Sequence, residues 1–126
     1  FVSEVLIDRM RLIDDRMDDY VQSRDLSALT ISNHEFHQVL YMANPHQTVM
    51  PVIESVWLQL GPFQRMMIRE LDQFYLIDRH KEILTALRRR DAAALASAIE
   101  ADIEDGIGRA GREVLCARMP EGEALR

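Results

Sequence analysis

Apolar residues recur every three or four positions along most of the chain, which is the pattern of helices that bury one face. Acidic residues and arginines fill the positions between them, and the strict alternation typical of strands is hard to find. The pattern therefore predicts an all-α protein. In its first helix, about residues 1–24, the apolar positions are Val2, Val5, Leu6, Ile13, Met17, Tyr20 and Val21.

Breaks in this periodicity coincide with most of the few glycines and prolines. Asn44-Pro45 ends the second helix, Gly61-Pro62 separates the third from the fourth, and Asp91 is placed to cap the last. Because the connections are short, we expect an antiparallel bundle of about six helices, with residues 1–118 as one domain. The predicted helices are residues 1–24, 30–43, 49–60, 62–73, 76–90 and 92–117, followed by a polar tail at 119–126.

Length and composition agree with a single folded domain. The chain has 126 residues, of which 48% are apolar and 29% charged. Its net charge of −6 disfavours a surface that itself binds nucleic acid. One cysteine, Cys116, excludes an internal disulfide, and no apolar run approaches the roughly 20 residues of a membrane span, so we expect a cytoplasmic protein. Since the chain starts at Phe1 and not at Met, we also expect it to begin inside a longer protein.

Several polar side chains occupy positions where a helix should be apolar. His80 lies at the centre of an apolar stripe on the fifth predicted helix, and Asp102 lies at the centre of a stripe on the sixth. On the second helix, Asn33 and His37 are four residues apart and therefore face the same side. Three helices are thus predicted to direct a side chain capable of binding metal into the core.

Physical chemistry alone leaves two interpretations of these residues open. A single histidine on an apolar face is commonly a hydrogen-bonded core residue, and a buried Asp102 needs a cation, a histidine or a proton because an unpaired carboxylate costs several kcal/mol. Two imidazoles, a carboxylate and an amide can instead hold zinc, nickel, manganese or iron and leave positions open for a ligand. The segment His34-Glu35-Phe36-His37 does not match the zinc-protease motif HExxH, because its histidines are three residues apart.

Four motifs together resemble one known family. The combined pattern covers about residues 1–115 and is similar to the FCD domain, the C-terminal ligand-sensing domain of FadR-subgroup regulators in the GntR family of bacterial transcription factors. The motifs are Asn33-x-x-Phe36-His37-x-x-Leu40-Tyr41, Ile53-Glu54-x-x-Trp57-Leu58-x-x-Gly61-Pro62, Arg79-His80-x-x-Ile83-Leu84 and Ala98-Ile99-x-x-Asp102-Ile103.

This resemblance implies a helical bundle around a central cavity that holds a divalent metal, with zinc or nickel expected first and manganese or iron as alternatives. The family's common site uses an Asp and a His four residues apart and two later histidines. By position, the ligands here would be Asn33, His37, His80 and Asp102. Asn33 replaces the carboxylate and Asp102 replaces the last histidine, so the formal charge of the set stays at −1. Asn33 would bind through its amide oxygen or through a bridging water.

The resemblance also implies a function, which is to sense an effector and not to catalyse a reaction. We expect a homodimer that binds a small organic acid, with Tyr41, Arg65 and Arg79 as candidate effector contacts. DNA would be bound only by a winged helix-turn-helix preceding the domain, and neither that segment nor the family's first helix is visible before Phe1. The alternatives are a metal-free polar cluster that contacts the effector directly, a metal-dependent enzyme, and a purely structural dimerisation bundle.

Overall fold

The computed structural model describes residues 2–70 and 79–118, and every element in these two ranges is a helix. This confirms the all-α prediction. The elements are α1 (Glu4–Ser23), α2 (Leu26–Tyr41), α3 (Met50–Glu70), α4 (His80–Arg89), α5 (Ala92–Ile103), a π-helical segment (Glu104–Ala110) and α6 (Gly111–Arg118). The predicted tail at 119–126 lies outside the described residues.

An Arg-Asp pair makes the turn between α1 and α2 and again between α4 and α5. Arg24 and Arg90 adopt left-handed backbone conformations, with φ of 56° and 57°. The next residue caps the following helix: the Asp25 carboxylate accepts from the Ala28 N–H at 3.0 Å, and that of Asp91 accepts from the Ala94 N–H at 2.9 Å. Each pair therefore ends one helix and starts the next without a longer loop. The cap at Asp91 was predicted from the sequence, whereas α2 begins four residues before the predicted position 30 because of Asp25.

One predicted helix break is wrong, and one predicted helix is less regular than expected. Gly61-Pro62 does not end a helix, because α3 continues through Pro62 to Glu70. His34 of α2 contacts α3 on both sides of the proline, stacking on Trp57 and bonding Gln64, so packing offsets the lost N–H of Pro62. The predicted last helix, 92–117, follows a continuous helical path, but its middle widens into the π-helical segment around two glycines.

The core lies where α1 packs between α2 and α4, with α5 against α4. Val5 and Val21, which the sequence placed on the buried stripe of α1, are exposed. No helix in the described ranges is long and apolar enough to cross a bilayer. The buried apolar side chains that form this core cluster are Ile7, Met10, Ile13 and Met17 of α1, Leu29, Phe36, Val39 and Leu40 of α2, Ile83, Leu84 and Leu87 of α4, and Ala98 of α5.

Two neighbouring residues of α1 provide a matched test of this packing. Ile13 is fully buried and Leu12 is half exposed. We expect Ile13→Ala to lower the free energy of unfolding by about 2–5 kcal/mol, because it leaves a cavity in the core. Leu12→Ala should change it by less than about 0.5 kcal/mol. Urea denaturation of both variants measures the difference, and equal losses would mean that α1 buries another face.

Candidate metal and effector site

Three of the predicted ligands converge at the centre of the bundle. His37 of α2, His80 at the start of α4 and Asp102 near the end of α5 place one ligand atom each within 4.8 Å of one another. Nε2 of His37 lies 3.0 Å from Oδ2 of Asp102, and Nε2 of His80 lies 3.8 Å from the same oxygen. Their side chains are 7%, 3% and 18% exposed, respectively. The two histidines are buried, as the sequence predicted, and Asp102 is partly buried.

Neighbouring side chains orient the two imidazoles and join the helices that carry the candidate ligands. The Phe36 ring stacks on His80, with centroids 4.0 Å apart and planes 16° apart. It also meets the edge of His37, so one aromatic side chain sets the planes of both imidazoles. His80 follows Arg79, and a fork of two hydrogen bonds joins Arg79 to Asp105 in the π-helical segment, at 3.0 and 2.8 Å. This pair ties the start of α4 to the chain segment just after Asp102.

The two distances from the Asp102 oxygen to the histidine nitrogens fit a divalent metal ion. Bonds of 2.0–2.2 Å in tetrahedral geometry separate ligand atoms by about 3.3–3.6 Å, and right-angled octahedral positions separate them by about 3 Å. The two distances from the Asp102 oxygen, 3.0 and 3.8 Å, bracket these values. Two imidazoles and one carboxylate are ligands that zinc, nickel, manganese and iron accept. Three protein ligands also leave positions open for water or a substrate.

Asn33, the fourth predicted ligand, lies one turn before His37 on α2 and is partly buried. Its position is consistent with the prediction that its amide faces the same side of the helix as His37. Its participation as a ligand stays a prediction.

Tyr41, a predicted effector contact, lies beside the site. Its hydroxyl is 3.4 Å from Nδ1 of His37, the ring nitrogen on the far side from Asp102. Burial, together with the nearby negative charge of Asp102, raises the pKa of the Tyr41 phenol to about 12. The phenol is therefore neutral at physiological pH and can form a hydrogen bond with Nδ1 of His37.

The two predicted arginine contacts differ in outcome. The Arg79 guanidinium bonds Asp105 and also Glu82, at 2.9 Å, so in this structure it is engaged by protein carboxylates. An effector carboxylate would have to compete with them for this side chain. The side chain of Arg65 lies outside the part of the chain that the structure describes.

Sequence reasoning missed Asp14, a buried carboxylate of α1 that contacts His80. Burial by itself would raise the pKa of Asp14, but hydrogen bonds from His80 and Lys81 and their charges outweigh it and hold this pKa below its usual 3.8. Asp14 is therefore ionised at neutral pH. A signal was present in the sequence, since position 14 falls on the same helical line as Ile7, Met10 and Met17.

Sequence reasoning also missed an aromatic stack beside the site. Trp57 of α3 lies nearly parallel to both His34 and Tyr41 of α2, at centroid distances of 5.3 and 6.0 Å. His34 Nε2 is 2.8 Å from the side-chain oxygen of the buried Gln64. The stack joins α3 to the helix that carries His37. The spacing of seven residues between His34 and Tyr41, two helical turns, was the available signal.

Comparison with known proteins identifies the family of this chain. The family model of the FCD domain matches residues 2–105, which include all four predicted metal ligands. No match was found among curated proteins or solved structures. Because the matched residues make up most of the chain, the protein belongs to the FCD domain family, a family of ligand-sensing regulatory domains.

Proposed function

We propose that this domain is the effector-sensing part of a GntR-family transcription regulator, and that it binds a small organic acid through a divalent metal. The observation that carries the proposal is the convergence of His37 Nε2, His80 Nε2 and Asp102 Oδ2 in the interior. Asn33 would complete the ligand set through its amide oxygen or a water. The bound ion would supply open coordination positions that take an effector carboxylate.

The surrounding groups suit an anionic effector bound to such an ion. The neutral Tyr41 phenol can donate a hydrogen bond without repelling a carboxylate. Arg79 and Arg65 remain candidate contacts for the rest of the effector. To bind Arg79, the effector would either displace Asp105 from the guanidinium or bind it alongside Asp105. Effector binding would then favour one arrangement of a homodimer and so change how attached winged helix-turn-helix domains meet DNA. We expect such a regulator to act in the cytoplasm.

A metal-free version is the second candidate, and one contact favours it. The 3.0 Å bond between His37 and Asp102 already partners the carboxylate without an ion. In that version the same polar cluster would bind the effector directly. The two versions differ in whether effector binding requires metal.

Metal content provides the first test. We expect the protein, purified without added salts, to contain close to one equivalent of zinc or nickel by elemental analysis. His37→Ala combined with His80→Ala should abolish this, because two of three converging ligands are lost. His46→Ala is the matched control, since His46 is exposed in the turn after α2 and should not affect metal content. Protein purified without metal, with the same thermal stability in EDTA as in zinc, would contradict the proposal.

Zinc should also stabilise the fold measurably. A ligand that binds only the native state adds roughly 2.7 kcal/mol when its free concentration is about a hundredfold above the Kd. We therefore expect a zinc-dependent rise in Tm for the wild type and for His46→Ala. Asp102→Asn keeps the shape of the side chain but removes its charge, so it should show a much smaller rise. Differential scanning calorimetry measures all three, and an equal rise in Asp102→Asn would place the zinc elsewhere.

Effector binding separates the two candidate functions. A panel of mono-, di- and hydroxycarboxylic acids can be titrated by calorimetry into zinc-loaded and EDTA-treated protein. The metal-dependent proposal predicts that an acid binding the zinc-loaded protein loses its affinity after EDTA treatment. Equal affinity in both preparations would favour the metal-free cluster.

A further inference from the structure

Asp14 links α1 to the candidate metal site through one carboxylate oxygen and to Lys81 through the other. Oδ1 lies 3.1 Å from Nδ1 of His80, and Oδ2 accepts a hydrogen bond from Nζ of Lys81 at 2.7 Å. The Asp14 side chain is 3% exposed, whereas Lys81 is 57% exposed. The carboxylate is thus fully buried on the side of His80 and anchored from the solvent side by Lys81.

The two ring nitrogens of His80 face two different carboxylates. Nδ1 faces Asp14, and Nε2 faces Asp102 at 3.8 Å. Stacking on Phe36 fixes the plane of the ring, and the bond to Asp14 fixes its rotation within that plane. His80 is therefore held with Nε2 directed towards the point where His37 and Asp102 meet.

We propose that Asp14 is a positioning residue of the metal site, an inference that rests on the metal-dependent function proposed above. A metal ion binds a ring nitrogen that carries no proton, so His80 bound through Nε2 keeps its proton on Nδ1. Asp14 accepts that proton in a hydrogen bond. The imidazole of His80 would thus lie between a carboxylate and the metal, which would select the tautomer and make the imidazole a better ligand.

Charge gives Asp14 a second role at the same site. A divalent ion in the interior needs nearby negative charge, because water is largely excluded there. Asp102 supplies one charge, and the amide of Asn33 supplies none. Asp14 provides the second, on the opposite side of His80, while the opposing charge of Lys81 stays on the solvent side of the carboxylate.

The variant Asp14→Asn tests the proposal, because it keeps the size of the side chain but removes its charge. We expect zinc affinity to fall by about tenfold to a hundredfold, the usual effect of losing such an outer partner. Affinity is measured by competition with a chromophoric chelator, and urea denaturation of the zinc-free proteins reports their folding separately. Asp18→Asn is the matched control: Asp18 lies 3.5 Å from the same Lys81 but is 58% exposed, and its loss should leave zinc affinity unchanged.

Nitrogen-15 NMR of the zinc-loaded wild type tests the tautomer without any substitution. We expect His80 to show a protonated Nδ1 and a zinc-bound Nε2. Zinc bound through Nδ1 would overturn the inference, even if Asp14→Asn failed to fold.

The outcomes separate this inference from the function on which it rests. A wild type that takes up no zinc contradicts the metal-dependent function and the role of Asp14 together. A wild type that binds zinc, with Asp14→Asn binding it equally well, overturns only the role of Asp14. Lower stability of zinc-free Asp14→Asn with unchanged zinc affinity would assign Asp14 to folding alone.

Discussion

One buried carboxylate, one partly buried carboxylate and two imidazoles share the centre of this bundle, and the pairing of these four groups constrains the helices packed around them. Unpaired, each buried charge would cost several kcal/mol. Asp14 is partnered by His80 and Lys81, and Asp102 by His37. The four acidic and imidazole groups come from α1, α2, α4 and α5, so these helices can pack only where their polar groups meet. Burial of the apolar core around Phe36 and Ile83 stabilises the bundle. The polar pairs at its centre restrict how the helices align with one another.

The sequence predicted much of the fold, because the signals it used are local. Helical periodicity identified an all-α chain. The cap at Asp91 was predicted correctly because a short acidic side chain directly before an alanine-rich run is typical of a helix N-cap. The predicted break at Gly61-Pro62 was wrong because the sequence shows only the local cost of a proline in a helix. The contacts of His34 with Trp57 and Gln64, which offset that cost, join residues far apart in the chain. The π-helical segment carries no clear signal in the sequence beyond its glycines.

The sequence predicted part of the candidate site and missed another part. His37, His80 and Asp102 stand out because each is a polar residue on an apolar stripe, and the structure brings them together. Asp14 was missed because α1 carries many acids, and most of them lie on its exposed face. Its difference lies in its partners, which are 66 and 67 residues away along the chain. The pattern of one helix shows which side chains are buried, but contacts between distant helices decide which of them meet.

X-ray absorption at the zinc edge of the zinc-loaded protein shows whether His37, His80 and Asp102 hold a divalent metal together. We expect a first shell of nitrogen and oxygen at about 2.0–2.2 Å, with the outer-shell scattering of two imidazoles. A first shell of oxygen alone, without imidazole scattering, would contradict it. A sulfur contribution at about 2.3 Å would also contradict it, because it would place the zinc at Cys116.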